Sequence, residues 1–105
     1  MRNGLAINSL LDDFSVHDGG ARMWPQTERL KAGALAARLT GEARYRAIAV
    51  EAAENLMRYL DTPVPGLWYD RINEDGSRVD EAAPASSFYH LVAAIAEFGA
   101  LARLA

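Results

Sequence analysis

The sequence contains no cysteine, which excludes disulfides and thiolate metal sites. No apolar run approaches the roughly 20 residues needed to span a bilayer. The opening residues, Met1-Arg2-Asn3-Gly4-Leu5, lack the hydrophobic region of a signal peptide, so a cytoplasmic protein is expected. Charge of one sign is missing too: 11 Lys and Arg are interspersed with 14 Asp and Glu, for a net charge of −3. No arginine cluster or polybasic stretch offers a surface for nucleic acid or for an anionic membrane. The motifs G-x-x-x-x-G-K-[ST], G-x-G-x-x-G and H-E-x-x-H are all absent. Asp12-Asp13 and Asp75 lack the spacing of a calcium loop. No cofactor and no metal is expected.

What is present is apolar and rich in alanine. Half of the 105 residues are hydrophobic, enough for one domain, but alanine buries little area, so the core of a free-standing unit would be thin. The apolar periodicity predicts three helices, over residues 24–39, 42–60 and 87–104. Pro25 suits a helix start and Gly41 a helix stop. Leu30, Ala34, Ala37, Leu35 and Leu39 give the first helix a wide apolar surface. Tyr45, Ile48, Ala49, Ala52, Leu56 and Leu60 recur at spacings of three and four in the second. Its other side carries Arg44, Glu51, Glu54 and Arg58, a face for solvent. The short Thr40-Gly41-Glu42 link makes these two helices an antiparallel hairpin.

The third helix has Phe88, Leu91, Val92, Ile95 and Phe98 on one face and mostly small residues elsewhere, with Ser86 or Ser87 as its N-cap. A helix apolar nearly all round is normally buried on several sides, so it calls for neighbours beyond the other two helices. Two hairpin-like loops precede the first and third helices. Residues 5–8 and 14–17 read as strands around Asp12-Asp13. Residues 67–70 and 78–80 read as strands around the turn Asn73-Glu74-Asp75-Gly76. Loop, helix pair, loop and helix suggest a repeating unit.

Polar groups collect at two helix mouths. His90 lies about one turn into the third helix, where the helix dipole disfavours the imidazolium. It reads either as a base poised near neutrality or as a buried histidine bonded to a carbonyl. Trp24, Glu28 and Lys31 share one side of the first helix, with Arg22 just before it. Glu28 and Lys31 read either as a solvated pair or as part of a sugar site. In that site Trp24 stacks on the ring, and Glu28 and Arg22 hold hydroxyls or orient a histidine. Trp68, Tyr69 and Asp70 either line a pocket or pin their loop. His17 reads as an exposed turn residue.

The segment Arg22-Met23-Trp24-Pro25-Gln26-Thr27-Glu28-Arg29-Leu30-Lys31-Ala32 resembles the R-x-W-P-Q-T-E-x-x-K-A segment of the N-acylglucosamine 2-epimerase superfamily. The resemblance is strongest to its mannose-6-phosphate isomerase-like branch. Pro65-Gly66-Leu67-Trp68-Tyr69-Asp70 and Pro84-Ala85-Ser86-Ser87-Phe88-Tyr89-His90 resemble later segments of the same branch, in the same order. The resemblance implies an all-α fold of the (α/α)6-barrel type. Residues 1–105 would form a single partial domain of about three helices with hairpin-like loops, matching the C-terminal portion of the family. It implies a sugar epimerase or isomerase, in which a histidine takes the proton from C2 of the open-chain sugar. By the same resemblance His90 and Glu28 are catalytic, and Arg22, Trp24, Gln26 and Trp68 bind substrate. The substrate would be a sugar or sugar phosphate. The missing barrel wall and second histidine imply a homo-oligomer or a complementary upstream chain, with little activity for this chain alone. The other reading is a non-catalytic helical association module.

Overall fold

In the computed structural model, which describes residues 1–104, the chain forms three helices and four short strands. The helices are α1 (Met23–Thr40), α2 (Ala43–Leu60) and α3 (Ser87–Ala102). The strands are β1 (Ser9–Leu10), β2 (Val16–Asp18), β3 (Ala21–Arg22) and β4 (Arg71–Ile72). No helix among the described residues is long and apolar enough to cross a membrane.

Helix α1 is the centre. It packs against both α2 and α3, whereas α2 and α3 hardly touch each other. Small residues make the α1–α2 contact close. A Cβ on Gly33 would meet the Ala49 backbone nitrogen and the Ile48 Cγ2 at 3.1 Å each. Ala34, Ala37, Ala49 and Ala52 are buried around it, so two backbones approach at the cost of little buried side-chain area. Gly41 ends α1 in the left-handed conformation (φ 72°) and donates its N–H to the Ala37 carbonyl, as a glycine C-cap does. α2 then begins within two residues.

The loops join differently from the expectation. The first hairpin forms as β1 against β2, not over residues 5–8, where Leu5 instead pairs with Arg2 and packs into the core. Residues 67–70 are not a strand. The chain pairs one step later, as β4, and its partner is β3, with Ala21 opposite Ile72 and Arg22 opposite Arg71. The turn after β4 forms as read, with Gly76 at φ 89° and its N–H on the Asn73 carbonyl. Arg78 returns to bridge Ile72. The β3–β4 pair therefore stitches the entry of α1 to the loop before α3. The Met23 N–H donates to the Asp70 carbonyl at 2.8 Å, satisfying one of the orphan donors at the start of α1. Tyr59 lies beneath this seam, fully buried, and its hydroxyl donates to the Ala21 carbonyl at 2.9 Å. Burial pushes its ionisation well above the usual tyrosine range.

The apolar faces are only partly covered. Leu91, Ala94 and Leu101 face the core, whereas Phe88, Val92 and Ile95 of α3, and Leu35 and Leu39 of α1, are exposed. The serines before α3 do not cap it: Ser86 is itself helical and makes no side-chain cap bond. The molecule is a slab of 39 × 37 × 20 Å. Its accessible surface of 6434 Å² exceeds the roughly 5,800 Å² typical of a compact protein of this mass.

Candidate active site

The β3–β4 seam and the pairing of α1 with α3 bring the starts of both helices to one side. Glu28, on the second turn of α1, meets His90, on the first turn of α3: Glu28 Oε1 lies 2.8 Å from His90 Nδ1. Lys31 holds the same carboxylate from one turn further on, donating to both oxygens at 3.2 Å. The hydrogen bond with His90, and secondarily Lys31, holds the Glu28 carboxyl below the usual glutamate range despite its partial burial. An ionised carboxylate can only accept. The neutral His90 ring must therefore carry its proton on Nδ1, which leaves the Nε2 lone pair as the group able to take a proton.

Aromatic rings flank the imidazole. The Trp24 ring centroid is 5.8 Å from that of His90 and the Tyr89 centroid 4.0 Å, both tilted. His90 itself is mostly covered, with 20 % of its side chain exposed. Around these groups lies a cleft of about 210 Å³ formed by Arg22, Trp24, Asp70, Ser87, Tyr89 and His90, with Pro84 and Ser86 at its edge. This is the size of a single sugar ring. It is smaller than the roughly 300–1,000 Å³ of complete ligand pockets, in keeping with one wall of a larger cavity.

Two expected substrate contacts lie elsewhere. Gln26 is buried, and its amide is committed to backbone. It accepts from the Ala6 N–H at 2.8 Å and donates to the carbonyls of Ala6 and Arg22 at 2.8 and 2.9 Å. It ties the N-terminal segment to α1 and does not reach the cleft. Trp68 stacks on Phe88 with centroids 5.9 Å apart. It borders a separate depression with Leu67 and Glu81, and its indole Nε1 is buried without a partner among the described residues. Arg22 and Trp24 do line the cleft. His17 bonds Ser9 on the exposed hairpin, remote in role from these groups. Asp70, Ser87 and Tyr89 line the cleft without having been singled out as site residues in the sequence. Ser87 reads there as a cap residue, and Asp70 as one of three residues that either line a pocket or pin their loop, an alternative the cleft decides for lining.

A larger apolar depression, about 510 Å³, is on another face. It opens between α2 and α3 over Leu30, bordered by Val50, Met57, Leu60, Ile95 and Phe98. With no ionisable group but Glu54 at its edge, it has the makings of a packing surface and not of a reaction site.

Known proteins align with this arrangement. The family model for N-acylglucosamine 2-epimerase (GlcNAc 2-epimerase) matches residues 1–94. The chain belongs to the N-acylglucosamine 2-epimerase family. It is 53% identical over 96 residues to a mannose-6-phosphate isomerase of Rhizobium meliloti (strain 1021), covering 89% of this chain and 25% of that protein. The cellobiose 2-epimerase of Spirochaeta thermophila DSM 6192 superposes with a TM-score of 0.75 at 22% identity, over 97% of this chain and 26% of the other. A D-mannose isomerase crystal structure gives a TM-score of 0.76 at 18% identity, over 91% and 25%. The fold is thus part of an (α/α)6 barrel. The chain spans about a quarter of the length of these relatives. That accounts for the slab shape and the uncovered apolar faces.

Proposed function

We propose that this chain contributes one proton-transferring wall of a sugar epimerase or isomerase site. His90 is the base and Glu28 its orienting partner. The observation that carries the reading is the 2.8 Å contact by which Glu28 holds His90, a residue that lines the cleft together with Trp24 and Tyr89. Proton removal alpha to a carbonyl needs a base whose accepting nitrogen is fixed before substrate arrives. Glu28 fixes it by accepting the Nδ1–H and stabilises the imidazolium that forms when Nε2 takes the C2 proton of an open-chain aldose. The electron pair moves into the C1–C2 bond, and the carbonyl oxygen becomes an enediolate oxygen. Reprotonation at C2 from the opposite face gives the epimer; reprotonation at C1, with the O2 hydroxyl proton passing to O1, gives the ketose. Arg22, at the rim, is the cationic donor available to an oxygen or to a phosphate group, and Trp24 offers a face for a sugar ring. The substrate is a sugar or sugar phosphate of the mannose type, a choice supported by the 53% identity to a mannose-6-phosphate isomerase. The protein works in the cytoplasm.

The rest of the cavity comes from further copies or from a complementary chain that supplies the missing helices. The exposed Phe88, Val92 and Ile95 on α3 support this. The same exposed stripe favours a second reading, a helical association module without turnover. Deuterium exchange at C2 separates the two. Mannose or mannose 6-phosphate in heavy water should gain deuterium when the chain is combined with the missing helices, and His90→Ala should stop it. Exchange unaffected by His90→Ala would refute the assignment of the base.

A further inference from the structure

Asp70 is not used in the proton transfer described above, yet it is a carboxylate with only 6 % of the residue exposed. It lines the cleft together with His90, Trp24 and Arg22. Its single side-chain partner among the described residues is the Ser87 hydroxyl, which donates to Oδ1 over a long 3.4 Å. No cation pairs with it among the described residues, although the exposed acids around it do find partners: Glu81 holds Arg71 by two bonds, and Asp61 meets Arg78. A carboxylate has about four acceptor positions, and an unpaired one carried into a protein is costly unless something meets it. The backbone of Asp70 fixes its place, because its carbonyl accepts the Met23 N–H at the start of α1. The position is thus built in, while the acceptor capacity is unspent.

We infer that Asp70 is a specificity-determining residue whose carboxylate accepts hydrogen bonds from hydroxyl groups on the uncharged part of the ligand at the floor of this cleft. The inference rests on the reading of the cleft as a sugar site and adds the chemistry of one subsite. Hydroxyl donors meet a carboxylate well, and two neighbouring hydroxyls can engage both of its oxygens. An anionic group at the same place would face like charge without a protein cation between. Any phosphate therefore lies toward Arg22 at the rim, and the floor takes the uncharged part of the sugar. The pairing also gives discrimination. A ligand lacking the hydroxyls leaves Asp70 unpaired and buried, which is the situation in which a polar site rejects an analogue most strongly.

The test uses the 105-residue chain itself. D-Mannose and, separately, inorganic phosphate are titrated while NMR follows the Trp24 indole N–H and the His90 ring. Mannose should shift both signals in the parent chain. Asp70→Asn should weaken mannose binding by about tenfold or more, in line with loss of a charged acceptor, and should strengthen phosphate binding at the same signals. A purely structural role for Asp70 would not produce that gain. Asp70→Ser, which keeps a hydroxyl toward Ser87, carries the same expectation if the asparagine variant fails to fold. Unchanged mannose affinity and unchanged phosphate affinity in a folded variant would overturn the assignment of Asp70 and leave the sugar-site reading standing. No mannose response in the parent chain, alone or combined with the remaining barrel helices, would overturn both.

Discussion

Replacing Gln26 by alanine separates a structural amide from a ligand-binding one. In the structure the amide makes three bonds to backbone, two to Ala6 and one to Arg22, at 2.8–2.9 Å. Each is worth about 0.5–1.5 kcal/mol net, and orphaned backbone groups add to the loss. Water can reach part of Ala6, which is only half-buried, so the sum is set at about 2–4 kcal/mol. For a domain of this size 1 kcal/mol corresponds to roughly 4–8 °C, and a fall in Tm of about 8–30 °C follows. Thermal unfolding by circular dichroism measures it, with mannose titration of the Trp24 indole signal run on the same variant well below its Tm. The account expects a large loss of stability with sugar affinity nearly retained. A Tm within about 2 °C of the parent, together with lost sugar binding, would refute this reasoning and return Gln26 to the ligand.

Other substitutions probe the packing and the dyad. Gly33→Ala should destabilise by about 1–3 kcal/mol, because its Cβ would press on the Ala49 backbone; chemical denaturation gives the value. Tyr59→Phe should cost about 0.5–1.5 kcal/mol by removing the hydroxyl's hydrogen bond to the Ala21 carbonyl, read as a lowered denaturation midpoint. The Glu28 carboxyl is held below its ordinary range in the folded chain. Its contribution to stability is therefore complete above the usual glutamate range and fades as pH falls through the lowered folded value. The acid-side loss of Tm should be shallower in Glu28→Gln than in the parent, by thermal melts across pH. Sedimentation at rising concentration should show association through the exposed α3 stripe, and Ile95→Lys should reduce it.

The helices were legible because alanine-rich periodic segments are bounded by strong punctuation at Pro25 and Gly41. Which faces they bury was less so. On α3 the large residues Phe88, Val92 and Ile95 stay exposed while Leu91, Ala94 and Leu101 face the core, since a barrel wall has a second side to cover. The two-residue strands β3 and β4 were not legible. Their pairing joins positions some fifty residues apart, and no local preference specifies it. Gln26 reads as a polar residue in a helix mouth whichever way it points. Only the tertiary position of Ala6 decides that it faces backbone. Asp70 likewise stays undecided between pocket and loop, and Ser87 looks like a cap, until the seam brings them into one cleft with His90. Glu28 and His90 each stood out at a helix mouth, but the choice of the catalytic over the structural reading came from the family resemblance, because a contact across 62 positions leaves no periodic trace.

The central claim is that Glu28 holds His90 with its proton on Nδ1, leaving Nε2 to act as the base. Long-range proton–nitrogen NMR of the ¹⁵N-labelled chain, recorded on the alkaline side of neutrality, reads this directly. The account predicts a protonated, pyrrole-type Nδ1 and a pyridine-type Nε2 for His90, with the pattern averaging toward a mixture of tautomers in Glu28→Ala. A protonated Nε2 in the parent chain, or a pattern unchanged by Glu28→Ala, would contradict it.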